Sequence, residues 1–186
     1  MPLVGSHLID LRPSRSTFTL RDVDADAGAG ASKVIERAWK EVAAGTGYEI
    51  WVVRAQDLLL VAVEVQTWDS VPDEPPPGTE WRGPLVLPLY CATGDLILSD
   101  DVRYLDGIVA PAGPGDYTVQ IFYAGREKAV AAYRSIVDVI IELPVPEAIA
   151  YLDEHVRGVE RYLLRLCPGR PGQALGPSAT PSQQDG

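Results

Sequence analysis

A chain of 186 residues with 46% hydrophobic side chains has the length of one domain, and it carries enough apolar material for a core that needs neither disulfides nor metal. Its net charge of −10 argues against a nucleic-acid binder, because phosphate contacts demand clustered Lys and Arg. The apolar runs are too short to span a bilayer and MPLVGSHLIDLRPSR lacks the pattern of a signal peptide, so the expectation is a cytoplasmic protein with no membrane partner and with Cys91 and Cys167 reduced.

Residues 3–11 and 16–20 read as two short strands with Val4, Leu8, Phe18 and Leu20 at apolar positions, broken by Arg12-Pro13-Ser14. RDVDADAGAG, residues 21–30, reads as a loop. The spacing predicts a helix over 32–44, with Ser32 as its N-cap and Gly45 as its stop. Val34, Ile35, Ala38, Trp39 and Val42 form the stripe that such a helix would bury. Strands are expected at 48–54 and 57–67. In the second, Leu58, Leu60 and Ala62 oppose Leu59, Val61, Val63 and Val65, so burial on both sides is expected at that end.

WDSVPDEPPPGTE, residues 68–80, holds four prolines and four acids and excludes regular structure. It reads as an exposed, semi-stiff loop bracketed by Trp68 and Trp81, of the kind that carries function. Strands follow at 84–91 and 95–99, with Ala92-Thr93-Gly94 suiting a hairpin, and a further strand at 103–110. Pro111 to Gly115 turns the chain into a strand with Tyr117, Val119, Ile121 and Tyr123 on one face and Thr118 and Gln120 on the other. From 127 a helix is expected through residue 134, where Ile136-Val-Asp-Val-Ile-Ile141 turns strand-like. Pro146 suits the first turn of another helix ending near His155. Residues 160–166 read as a strand with Tyr162, Leu164 and Leu166 in and Arg161 and Arg165 out. The residues from 168 to 186, rich in Pro and Gly, read as a flexible tail to a single β-rich domain over 1–167.

The motif search yields little chemistry. Asp22-x-Asp24-x-Asp26 opens like a calcium loop, but Ala27 and Lys33 stand where the loop needs Gly and a bidentate acid. These aspartates remain a weak alternative metal site, and no cofactor is expected. Gly28-Ala-Gly30-Ala-Ser-Lys33 lacks the spacing of a phosphate loop. The two histidines, His7 and His155, sit in no nucleophile motif, and Cys91 lies in an apolar strand, so no catalytic residue is assigned.

Charge is the strongest functional signal. Residues 55–102 hold nine acids against one base, Arg82, for a local sum of −8. Such a segment favours a basic protein partner and speeds the encounter with it. The candidate contact residues are Trp68, Asp69, Asp73, Glu74, Glu80, Trp81, Asp100 and Asp101.

With these elements placed, the order of segments resembles a known family. An aromatic-rich strand pair (48–65) precedes the acidic Pro-rich loop; PLVLPLYCATGDLIL and PAGPGDYTVQIFYAGRE follow. This arrangement resembles the small acidic nuclease inhibitors of the competence-protein-J type. It is also similar to actinobacterial β-domain proteins that end in a hydrophobic strand and Pro, here Tyr162-Leu-Leu-Arg-Leu-Cys-Pro168. The resemblance spans about residues 48–126 and 160–168. It implies an immunity-like inhibitor that binds a toxin or nuclease and has no catalytic residues. The expected fold is a mostly β, two-sheet antiparallel sandwich with one to three peripheral helices. The alternatives are a small-ligand or calcium-binding β-sandwich, or an enzyme of another class.

Overall fold

A computed structural model describes residues 2–169, except 13, 14, 27, 29, 79 and 101. From residue 170 on, the expected tail lies outside the described residues, as does Asp101. The element order is β1 (Leu3–Leu11), β2 (Thr17–Asp22), α1 (Ala31–Glu41), β3 (Ala43–Gly45), β4 (Glu49–Val53), β5 (Val61–Trp68), β6 (Arg82–Cys91), β7 (Asp95–Ser99), β8 (Tyr104–Val109), β9 (Gly115–Ala124), α2 (Arg126–Ile140), α3 (Val145–His155) and β10 (Arg161–Pro168).

The strands form two five-stranded sheets, ordered β1-β5-β10-β9-β6 and β3-β4-β2-β7-β8. The chain is mostly β and its sheets stack as a sandwich. All pairings are antiparallel except one: β10 runs parallel to β5, with Arg165 opposite Gln66. The core follows from period-2 alternation. Val61, Val63, Val65, Val119, Ile121, Leu164 and Leu166 of the first sheet meet Phe18, Leu20, Ile50, Val52, Leu96 and Leu98 of the second. Phe18 packs edge-on against Tyr162 with ring centroids 5.2 Å apart, joining the two layers.

Several local expectations are corrected. The Ala92-Thr93-Gly94 turn is not a hairpin, because β6 and β7 belong to different sheets. The turn instead crosses the sandwich, and Gly94, at φ 86°, leaves no room for a Cβ, which would sit 2.9 Å from the Gly113 carbonyl carbon. The Pro111–Pro114 turn crosses back; there Tyr117 Oη donates to the Gly113 carbonyl at 2.7 Å and accepts from the Ala112 N–H at 3.0 Å. The helix expected at 32–44 is shorter: Val42, at φ 75°, turns the chain straight into β3. Of its predicted stripe only Ala38 is fully buried, and Trp39 is 57% exposed.

Helix α2 continues to Ile140 instead of ending at 134. Ala129, Ala132, Tyr133, Ile136 and Ile140 recur at helical spacing and pack with Leu152, Val156 and Leu59 in a second, smaller core. This burial outweighs the strand preference of Ile136–Ile141. Leu59 also explains why β5 begins at Val61 and not at 57. The Arg54 guanidinium donates to the carbonyls of Leu59, at 2.6 Å, and of Asp57, and holds 57–60 out of the sheet. α2 is anchored at its start by a buried polar group. Glu160 accepts from the Ala55 N–H at 2.8 Å, from Tyr162 Oη and from Arg126 Nη1 at 3.3 Å. Burial pushes the Glu160 carboxyl above its ordinary range, against the pull of these donors.

Candidate functional site

The order of the first sheet dictates the course of the acidic loop. β5 and β6 are separated by β10 and β9, so the connection must pass two strands, about 14 Å of sheet at ordinary strand spacing. Both strands run in the same direction, so the loop also descends the sheet, from the level of Cys167 at Trp68 to the level of Tyr162 at Arg82. Residues 69–81 therefore form a strap across the outer face.

Beneath the strap lies Arg165. Alternation along β10 sets Tyr162, Leu164 and Leu166 into the core and Leu163, Arg165 and Cys167 onto the outer face, as expected. Although it faces out of the core, Arg165 is only 4% exposed. Its Nη1 donates to the Glu74 carbonyl at 2.7 Å, and its guanidinium lies 5.5 Å from the Trp68 ring centre and 5.1 Å from that of Phe122. Removal from water lowers its pKa, although the cation persists at any physiological pH. Pro76, in the middle of the strap, is buried. The strap is thus an exposed loop, as its composition suggested, that is braced from below by Arg165.

The lower end is held by ion pairs. Glu80 accepts from Lys128 at 2.7 Å and faces Arg161 at 3.5 Å. The Lys128 hydrogen bond, reinforced by the charge of Lys128, holds the Glu80 carboxyl below its usual range. Arg161 covers the Trp81 ring at 5.3 Å, and the Trp81 indole N–H donates to the Pro77 carbonyl at 3.2 Å. Cations from α2 and β10 therefore offset part of the charge counted over residues 55–102. Asp69, Asp73 and Glu74 remain exposed, and none has a cation within ion-pair distance among the described residues.

The structure gathers Trp68, Asp69, Asp73, Glu74, Glu80 and Trp81 on one strap, but it does not bring Asp100 to them. Asp100 follows β7 in the other sheet, and its Oδ1 accepts the N–H groups of Val102 at 2.7 Å and Arg103 at 2.6 Å. The reason is the crossing at Ala92–Gly94, which carries the chain away from the first sheet. The Asp22-Asp24-Asp26 triplet is likewise split. Asp22 is 1% exposed and its carboxylate accepts from the N–H groups of Asp24, Thr93 and Gly94 and from the Thr93 hydroxyl, at 3.0–3.2 Å. It fixes the crossing turn. Asp24 and Asp26 stay exposed, beside the edge-to-face pair Tyr48–Tyr90. Among the described residues no cluster of His, Cys, Asp and Glu is placed to hold a metal ion.

The cysteines are free and buried. Cys91 points into the inter-sheet core and Cys167 to the outer face, so they do not meet. Burial pushes the Cys91 thiol up to about 12 and that of Cys167 to about 11, far from a reactive thiolate. His155 stacks on Tyr151 with ring centres 4.0 Å apart. No helix among the described residues is long and apolar enough to cross a membrane.

Sequence reasoning missed Arg165, Arg161 and Lys128 as partners of the acidic loop. Alternation located Arg165 on the outer face, but only the order of the strands shows what covers it.

No family model matches the chain, and no curated protein matches it. Two solved structures share its fold. One is ComJ from Bacillus subtilis, described as the inhibitor of the DNA-degrading activity of NucA; it aligns with a TM-score of 0.55 and 9% identity over 90% of this chain and 98% of its own. The other is the product of crocagin biosynthetic gene J, with a TM-score of 0.54 and 15% identity over 91% of this chain and 100% of its own. Identities this low establish the shared fold and nothing about activity.

Proposed function

We propose that this chain is an inhibitor-type interaction protein that binds and blocks a basic protein partner of the nuclease class through the acidic strap. One observation carries the reading: among the described residues Asp69, Asp73 and Glu74 stand exposed and without ion-pair partners, on a segment pinned by Arg165, Arg161 and Lys128. A charged surface held in place loses little entropy on association, and unneutralised carboxylates attract a cationic partner at long range. The shared fold with a nuclease inhibitor supports the same class of partner. Trp68 and Trp81, at the two ends of the strap, would be the aromatic anchors of the contact.

The test is capture from native lysate by the wild-type chain and by Asp69→Asn/Asp73→Asn/Glu74→Gln. The expected result is a basic nuclease retained by the wild type, released by about 0.5 M salt, at which the screening length is only a few ångström, and not retained by the triple variant. DNA degradation by the captured protein should stop when the wild-type chain is added back. A partner bound equally by the triple variant, or bound without salt sensitivity, would refute the reading.

A further inference from the structure

Between the strap and the sheet lies a solvent-open cavity of about 500 Å³, lined by Leu3, Gln66, Trp68, Asp73, Glu74 and Arg165 together with prolines of the loop. Its unusual member is Arg165. A buried guanidinium is ordinarily matched by a carboxylate, since an unmatched buried charge is costly. Arg165 has no carboxylate within ion-pair distance among the described residues. Its nitrogen atoms are used unevenly. Nη1 donates to the Glu74 carbonyl, while among the described residues Nε, which is buried, and Nη2 have no hydrogen-bond partner. Bracing the strap therefore accounts for one nitrogen only. The edge left over, Nε with Nη2, is the one that receives a carboxylate side-on through two parallel N–H···O bonds.

A bare anion does not suit the rest of the cavity. Asp73 and Glu74 belong to its lining and are exposed to solvent at the strap. They would repel a simple carboxylate and attract an amine. The half-buried Trp68 ring and Leu3 add apolar surface. We infer that this cavity binds a free α-amino acid with an apolar side chain, its carboxylate on the unpaired Nε–Nη2 edge of Arg165, its ammonium toward Asp73 and Glu74, and its side chain against Trp68. The volume falls in the ordinary range for small-ligand sites. This site does not depend on the partner proposed above.

The experiment is calorimetric titration of the full chain with three probes: L-leucine, isocaproate (the carboxylate and side chain without the amine) and isoamylamine (the amine and side chain without the carboxylate). Leucine should bind saturably and at least about tenfold more tightly than either half. Arg165→Gln should abolish binding. If that variant does not fold, Arg165→Lys keeps a cation but loses the two-pronged edge, and it should weaken leucine by about tenfold or more. Asp73→Asn with Glu74→Gln should raise isocaproate to the affinity of leucine. No saturable heat with leucine at millimolar concentration, undiminished binding by Arg165→Lys, or equal binding of the three probes by the wild type would overturn the assignment. A chain that binds leucine but captures no nuclease refutes only the partner proposal; the converse refutes only this one.

Discussion

Tyr162→Phe removes a single oxygen from the interior, and the structure sets out what that oxygen does. Tyr162 Oη donates to Glu160 Oε1, lies 3.1 Å from the Val53 carbonyl and accepts from Arg126 Nη1 at 2.5 Å. Glu160 is 1% exposed, so no water replaces the lost donor. A buried hydrogen bond to a charged group contributes about 1.5–3 kcal/mol, so a loss of about 2–3 kcal/mol is expected. For a fold of this size that corresponds to a fall in Tm of roughly 4–12 °C. The hydroxyl is one of the groups holding the Glu160 carboxyl down against burial, so its removal raises that carboxyl further. The sign follows from linkage. An acid whose folded pKa lies above its unfolded value destabilises the fold increasingly as pH rises from the unfolded toward the folded pKa, and this penalty vanishes below the unfolded pKa. The variant carries a larger penalty, so its deficit should be greatest at neutral pH and should shrink toward pH 4. Urea unfolding of both proteins across that range measures it. A deficit below about 0.5 kcal/mol, smaller than a typical buried hydrogen bond, or one that does not change with pH, would refute the description of this cluster.

Phe18→Ala should cost about 3–5 kcal/mol by leaving a cavity between the sheets, read as a lower urea midpoint at unchanged slope. Asp22→Ala should lower stability by about 2–3 kcal/mol with or without millimolar calcium, because the carboxylate serves backbone donors; a deficit that appears only with calcium present would restore the metal reading. Lys128→Met should bring the Glu80 carboxyl back up toward its ordinary range in a carbon-detected NMR titration. In the wild type the Glu80 pairing is present at neutral pH and is lost as pH falls through the lowered value. Neither cysteine should react with a thiol reagent at pH 8 in the native protein, and both should react once urea unfolds it.

Strand positions were legible because alternation is local: Phe18 and Leu20, Val61 to Val65, and Tyr117 to Tyr123 each declare one buried face. What alternation does not carry is the identity of a strand's neighbour. Ala92-Thr93-Gly94 has the residues of a hairpin, and the same residues serve equally well to cross from one sheet to the other. The candidate site shows the same divide. Its acids and tryptophans were visible as composition, and so was the exclusion of regular structure by the prolines. The cations that brace them were not, because Lys128, Arg161 and Arg165 lie far along the chain and reach the strap only through strand order. Trp39 failed for a different reason: helical spacing identifies a stripe, but β3 and β4 cover only the part of it centred on Ala38.

β10 sits between β5 and β9 and follows both in the chain. During synthesis, then, every other strand leaves the ribosome before the one that joins the halves of the first sheet. Until Arg161–Pro168 arrives, β5 and β9 each present a bare row of backbone donors and acceptors facing an open slot. The nascent chain at that stage is a receptor for any extended segment of suitable pattern, its own or another molecule's. The strap, which must lie over β10 and is held by Arg165, closes only after the slot has been filled. The braced form of the acidic surface therefore depends on completing the sheet beneath it.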